Sequence, residues 1–160
     1  MGKEAPLKDH DQLIEAVHAL ISKASGEHEV MAEIVELLRR ERPYYSWVGF
    51  YLMDGPDELV LGPYAGKPTP HVRIPLHQGI CGAAASTGET LIIDDVSADH
   101  RYLACSVETQ SEIVVPIKRE GRMLGEIDID SDSLGAFGEG DRRLIEEVAE
   151  LVAQRLTVVD

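Results

Sequence analysis

The chain has 160 residues and a formal charge of −14 at pH 7, with 44% hydrophobic and 28% charged residues. This size and balance predict one globular domain over residues 1–160, with residues 1–8 as a flexible N-terminus. The negative charge disfavours nucleic acid and membrane as partners, because both attract basic surfaces. Two cysteines are too few for a secreted disulfide framework, and the first residues lack a signal-peptide pattern. We therefore expect a cytoplasmic protein.

Helical periodicity marks both ends of the chain. Apolar residues recur at helical spacing over residues 9–23 and 27–40, and Pro43 ends the second stretch. A last helix is predicted over residues 139–157. We expect these terminal helices to cover one face of a sheet.

Between the helices the apolar period changes to two, which is typical of strands. Strands are predicted at "SWVGFYLMD", "ELVLGPY", "HVRIPL" and "TLIIDDV", and on both sides of a turn at Glu120-Gly121. A short helix is predicted over residues 81–87, and residues 97–111 are predicted to be a long loop. The hairpins make the sheet mostly antiparallel, so the predicted fold class is α+β, with helices on one sheet face and loops on the other.

Acidic residues alternate with isoleucines in the last predicted strand, "EIDID": Glu126, Asp128 and Asp130. Alternation places all three on one face of the sheet, either as a solvated polar face or as the floor of a ligand pocket. Trp47 and Tyr51, also opposite the packed face, could form the aromatic wall of such a pocket. Mutual repulsion and partial burial should raise the pKa of at least one of the three carboxyl groups, and a protonated carboxyl group can act as a general acid.

The two cysteines, Cys81 and Cys105, are the candidate nucleophiles. Cys81 lies near the start of the predicted short helix, where unpaired amides and the helix dipole favour a thiolate. Cys105 lies in the predicted loop, shortly after His100 and Arg101. The alternative for either residue is a small buried side chain with no chemical role.

Two other kinds of site are weighed and disfavoured. Three histidines near the cysteines could ligate zinc: His71, His77 and His100. Their spacing is irregular and the chain has no Cys-x-x-Cys pair, so we predict no bound metal. A serine hydrolase is disfavoured because no Gly-x-Ser-x-Gly motif is present.

Five segments resemble, in order and spacing, the free methionine-(R)-sulfoxide reductases. They are "YYSWVGFYL", "ELVLGPYAGKP", "VRIPLHQGICGAAASTGET", "ACSVETQSEIVVPI" and "GEIDIDS". The resemblance covers roughly residues 10–156. It implies a GAF fold, with a central antiparallel sheet, terminal helices on one face and a loop-covered ligand cavity on the other.

The resemblance also implies a chemistry. In that family a cysteine attacks the sulfur of free methionine sulfoxide and becomes a sulfenic acid, a second cysteine condenses with it, and thioredoxin reduces the disulfide. No cofactor is bound, and thioredoxin or a small thiol supplies the electrons. The implied catalytic residues are Cys105, Cys81, Glu112 and Asp130. The implied substrate-binding residues are Trp47, Tyr51, Glu112, Asp128, Asp130 and His71.

One position departs from the family pattern, because His71 stands where a third cysteine usually precedes "VRIP". Cys81 is then the candidate resolving thiol, and a bond to Cys105 requires Cα atoms within about 7 Å. Without that bond a small thiol must recycle the enzyme. An inward-pointing His71 could instead stabilise a thiolate at Cys105. Two other functions stay open: a sensory GAF domain that binds a small ligand without turnover, and a homodimer module built on the terminal helices.

Overall fold

The computed structural model describes residues 6–23, 26–102 and 108–156. Its helices are α1 (His10–Lys23), α2 (Glu27–Glu41), α3 (Gly79–Thr87) and α4 (Glu139–Arg155), with a 3-10 turn at Val96–Ala98. Its strands are β1 (Trp47–Met53), β2 (Glu58–Ala65), β3 (Arg73–Pro75), β4 (Leu91–Ile93), β5 (Ser111–Arg119) and β6 (Arg122–Ser131).

The six strands form one sheet in the order β3-β2-β1-β6-β5-β4, and every neighbouring pair is antiparallel. This arrangement confirms the predicted α+β class. The predicted terminal helices are present, and their ends differ from the sequence-based limits by two residues at most. None of the described helices has the length and apolar character that a membrane crossing requires.

The main hydrophobic core lies on one face of the sheet. Helices α2 and α4 pack directly on this face, and α1 packs against both of them. Alternate strand residues point into this core and are fully buried: Val48, Phe50, Ile127 and Ile129. The alternation read from "EIDID" therefore places its isoleucines, Ile127 and Ile129, on the correct face.

The hairpin between β5 and β6 sets the register of the opposite face. Glu120 and Gly121 have φ values of 53° and 77°, the positive values that a tight two-residue hairpin turn needs to match the strand twist. The resulting pairing brings Glu112 of β5 opposite Asp130 of β6. Two acidic residues distant in sequence thus become direct cross-strand neighbours on one face.

Candidate active site

The second face of the sheet carries the acidic residues of β6, and strand pairing fixes their neighbours. Asp130 lies between Trp47 of β1 and Glu112 of β5. Glu126, four residues earlier, pairs with Tyr51 of β1. Aromatic residues of β1 are therefore direct cross-strand neighbours of acidic residues of β6 on this face.

A glycine in β1 makes room for the aromatic side chains. A Cβ atom at residue 49 would lie 2.2 Å from the ring of Trp47, so the indole occupies the space above the strand. The Trp47 ring stacks on Tyr64, with centroids 5.5 Å apart, and lies 6.4 Å from the ring of Tyr51. Its Nε1 donates a hydrogen bond to the Lys67 carbonyl at 3.0 Å. The indole is thereby held in place beside the acidic residues.

Four carboxyl groups are buried on this face, each with no more than 4% of its surface exposed: Glu112, Glu126, Asp128 and Asp130. Burial penalises the charged form and is the largest cause of the raised pKa of Glu126, Asp128 and Asp130. The charge of Asp128 raises the pKa of Glu126 and Asp130 further. The sequence predicted a raised pKa from mutual repulsion and partial burial, and burial is the larger of the two causes.

Glu112 hydrogen-bonds with both Asp128 and Asp130. A hydrogen bond between two carboxyl groups requires a proton on one of them, since an ionised carboxylate only accepts. The three groups therefore share at least one proton. The trio can therefore donate a proton to a ligand oxygen.

Several buried carboxyl oxygens have no hydrogen-bond partner within the described ranges. These are both oxygens of Glu126 and the Oδ1 atoms of Asp128 and Asp130. The Cys81 thiol is near enough to lower the pKa of Glu126, but it does not reach these oxygens with ordinary hydrogen-bond geometry. An unpaired buried polar group costs about 1–3 kcal/mol. A ligand that binds these oxygens would remove that cost.

Helix α3 holds Cys81 above the acidic residues. Its side chains are small, and a Cβ atom at residue 82 would lie 2.9 Å from the carbonyl oxygens of Pro75 and Leu76. Glycine at 82 thus permits close approach, and the Ser86 hydroxyl donates to the Leu76 carbonyl at 2.6 Å. The helix places the Cys81 Sγ within 4.8 Å of carboxylate oxygens from two neighbouring strands.

Cys81 is a protonated thiol in this setting. Burial raises its pKa well above the ordinary value, and the nearby Asp128, Glu126 and Glu112 raise it further. The expectation that the start of the helix favours a thiolate is therefore wrong. The dipole of a short helix is outweighed by burial among carboxyl groups.

A small cavity of about 20 Å³ lies between α3 and the sheet, which is space for one water-sized group. Its polar lining comes from Tyr51, His71, Cys81, Glu112 and Asp128. The Tyr51 hydroxyl donates to the His71 carbonyl at 2.8 Å. The charge of His71 lowers the pKa of Asp128, so its imidazole lies near this site.

A second cavity, of about 480 Å³, is lined in part by Trp47 and Asp130. Arg39, Arg40 and Lys67 also border it, and the sequence analysis missed all three as site residues. The arginines lie in the last turn of α2, where basic residues commonly serve to balance the helix dipole. Because a position at the end of a helix already accounts for the two arginines, the sequence gave no reason to place them at a cavity.

The predicted nucleophile Cys105 lies outside the described residues. In the segment before it, Arg101 pairs with Asp99 at 2.7 Å between Nη2 and Oδ2. The guanidinium lowers the pKa of Asp99 to about 2. Arg101 is thus already engaged by a local carboxylate.

The histidine-based zinc arrangement is not found within the described ranges. His77 and His100 are exposed. The group of side chains with metal-ligand spacing is instead Cys81, Glu112 and Asp128, whose ligand atoms all lie within 4.8 Å of one another. Sequence spacing gave no indication of this group, because its residues come from three separate elements, α3, β5 and β6, that meet only in the folded protein.

An antiparallel sheet with terminal helices on one face and buried polar groups on the other is the arrangement expected of a GAF fold. The sequence pattern of the GAF domain matches residues 27–156. The chain belongs to the GAF domain family.

Similar proteins narrow this class. The chain is 32% identical to the free methionine-R-sulfoxide reductase of Escherichia coli over 143 residues, 89% of this chain and 86% of that protein. It is 32% identical to GAF domain-containing protein A of Dictyostelium discoideum over 152 residues, 95% of each chain. The X-ray structure of free methionine-R-sulfoxide reductase from Neisseria meningitidis in complex with its substrate matches with a TM-score of 0.86 and 34% identity, covering 91% of this chain and 87% of that one. These findings confirm the resemblance read from the five motifs.

Proposed function

We propose that this protein is an oxidoreductase that reduces free methionine-(R)-sulfoxide to methionine. The observation that carries the proposal is the trio of hydrogen-bonded carboxyl groups, Glu112, Asp128 and Asp130, buried beside aromatic rings and a thiol. A sulfoxide needs a proton donor for its oxygen and a sulfur nucleophile for its sulfur. The similar chains that carry this activity in their names support the same assignment.

The two cavities suit the parts of such a substrate. The small cavity holds one water-sized group, which matches a sulfoxide oxygen beside the carboxyl groups of Glu112 and Asp128. The indole of Trp47 offers an apolar surface to the S-methyl group. The larger cavity offers Arg39 to the substrate carboxylate.

Cys105 is the proposed nucleophile. Its sulfur attacks the sulfoxide sulfur while a protonated carboxyl group, Asp130 or Glu112, donates a hydrogen bond or its proton to the oxygen. The sulfur–oxygen bond of the substrate breaks and the oxygen passes to Cys105. Methionine leaves, and Cys105 becomes a sulfenic acid after giving two electrons to the substrate sulfur.

Cys81 is the proposed resolving residue. Its thiol condenses with the sulfenic acid, which forms a disulfide and releases water, and a thioredoxin-like dithiol then reduces the disulfide. Only a thiolate attacks efficiently, and the raised pKa of Cys81 keeps it protonated. We therefore expect recycling through Cys81 to be slower than attack on the substrate, and small thiols to compete with it.

The decisive experiment measures methionine formed from free methionine-(R)-sulfoxide with dithiothreitol as reductant. We expect turnover by the wild-type chain, none by Cys105→Ser, and retained turnover by Cys81→Ser, because dithiothreitol reduces the sulfenic acid directly. Replacing dithiothreitol with thioredoxin should then reveal a defect in Cys81→Ser. No methionine from the wild-type chain under either condition would refute the proposal.

A second candidate is a GAF domain that binds this ligand without turning it over. The protonated state of Cys81 and the replacement of a family cysteine by His71 favour it, since both weaken the recycling chemistry. Isothermal titration with methionine-(R)-sulfoxide separates the two candidates. Binding heat without methionine formation, even with dithiothreitol, would support the sensor and exclude the enzyme.

A further inference from the structure

The thiol of Cys81 and the carboxyl groups of Glu112 and Asp128 also form a set of potential metal ligands, a role separate from the ones proposed for them in the reductase chemistry. They come from α3, β5 and β6, and their ligand atoms lie within 4.8 Å of one another. A tetrahedral zinc ion has bonds of about 2.3 Å to sulfur and about 2.0–2.2 Å to oxygen, which places ligand atoms roughly 3.5 Å apart. Side-chain rotations that move each ligand atom by about 1 Å would bring the three atoms to these distances.

A second observation points to a ligand at this position. Asp128 Oδ1 and both oxygens of the adjacent Glu126 have no hydrogen-bond partner among the described residues, although the two side chains are 2% and 0% exposed. Buried acceptors normally find a donor, a water molecule or a cation. The cavity beside Cys81 and Asp128, about 20 Å³, has space for one such particle.

We propose that Cys81, Glu112 and Asp128 bind a divalent transition-metal ion of the zinc class, with the fourth coordination position open to water. One sulfur and two oxygen ligands suit Zn²⁺ or Co²⁺. Magnesium and calcium prefer all-oxygen sites with six or more ligands, and copper(I) prefers soft ligands alone. Binding would release the proton of Cys81 and any proton held by the two carboxyl groups, because only the deprotonated groups are metal ligands.

The metal site does not depend on the proposed reductase activity, but one consequence does. An ion in the small cavity would occupy the space assigned above to the sulfoxide oxygen and would bind two of the acidic residues. Zinc would therefore inhibit the reductase by competing with substrate. This consequence rests on the proposed function, whereas metal binding is measured without substrate.

Cobalt absorption tests the site directly. The chain has two cysteines, so a thiolate-to-cobalt charge-transfer band can arise only from Cys81 or Cys105. Reduced protein, freed of reductant under anaerobic conditions, is titrated with Co²⁺ alone and then with Zn²⁺. We expect one equivalent of Co²⁺ to produce the near-ultraviolet band in the wild-type chain and in Cys105→Ser, and Zn²⁺ to abolish it.

The variants decide which residues bind the ion. Cys81→Ser should lose the band, and Asp128→Asn should weaken cobalt binding by at least about tenfold, while the matched exposed control Asp132→Asn should not change it. If Cys81→Ser fails to fold, as judged by circular dichroism, Glu112→Gln gives the same test. A wild-type chain without the band, or a band that is lost in Cys105→Ser and kept in Cys81→Ser, would overturn the proposal.

Discussion

The two faces of the sheet are built by alternate residues of the same strands, yet they differ in what holds them together. On one face Ile127 and Ile129 contact the terminal helices in a continuous apolar core. On the other face Glu126 and Asp128 are equally buried but lack full hydrogen bonding within the described part of the chain. Burial stabilises the first face and costs free energy on the second. Along β6, the odd-numbered residues thus stabilise the fold, and the even-numbered residues supply the polar groups of the candidate site.

The largest expected effect concerns the apolar face. Ile129→Ala should lower the free energy of unfolding by about 2–5 kcal/mol, because it removes a fully buried side chain and leaves a cavity. Chemical denaturation measures this loss. An equal loss in Asp128→Asn, the adjacent residue on the other face, would contradict the division between the faces.

The next effect concerns the acidic face. Glu112→Gln and Asp130→Asn should each lower turnover by about 100-fold, because an amide cannot supply the proton that these two carboxyl groups are proposed to donate. Methionine formation measures this effect, with exposed Asp57→Asn as the matched control. Full activity in both buried variants would make the acidic face structural only.

A smaller effect appears in the pH dependence of stability. Burial, and then the charge of Asp128, raises the pKa of Glu126 in the folded state. The folded protein therefore holds this proton more tightly than the unfolded chain, and stability falls as pH rises above the ordinary pKa of 4.5. Glu126→Gln should be more stable than wild type at pH 7, with the difference shrinking as pH approaches 4.

Denaturation of wild type and Glu126→Gln at several pH values measures the difference, and exposed Glu120→Gln is the control. A difference that grows toward low pH would reverse the sign and refute the raised pKa.

The smallest effect lies where aromatic and acidic residues meet. Tyr51→Phe removes the hydrogen bond to the His71 carbonyl and should cost about 0.5–1.5 kcal/mol. Thermal unfolding measures it as a shift of a few degrees. A larger loss would mean that this bond positions the whole segment before β3, so that the small cavity depends on one hydroxyl group.

Local patterns predicted most of the fold. Periodicity located α1, α2 and α4, and alternation assigned Ile127 and Ile129 to the core face, because each signal depends on the burial of one side of one element. The turn at Glu120-Gly121 was also predicted, since its geometry depends on two adjacent residues.

The site was predicted less completely, because its properties depend on elements distant in sequence. The state of Cys81 depends on carboxyl groups from β5 and β6, and a reading of α3 alone gave the wrong sign for its pKa shift. The predicted residues also divide between two cavities: Tyr51 and Asp128 border the small one, and Trp47 and Asp130 border the large one. That division follows from the packing of α3 and the loops, which a strand pattern does not contain.

The closeness of α3 to the sheet sets the size of ligand that the acidic face can accept. Ala84 and Ala85 are buried on this helix, and Gly82 touches the backbone at Leu76. A larger side chain at one of these positions would shift α3 and so change the space between the helix and the sheet, while every carboxyl group stayed unchanged. Under the proposed function, substitutions in α3 would change which substrate fits, while the carboxyl groups of the strands would keep the same chemistry.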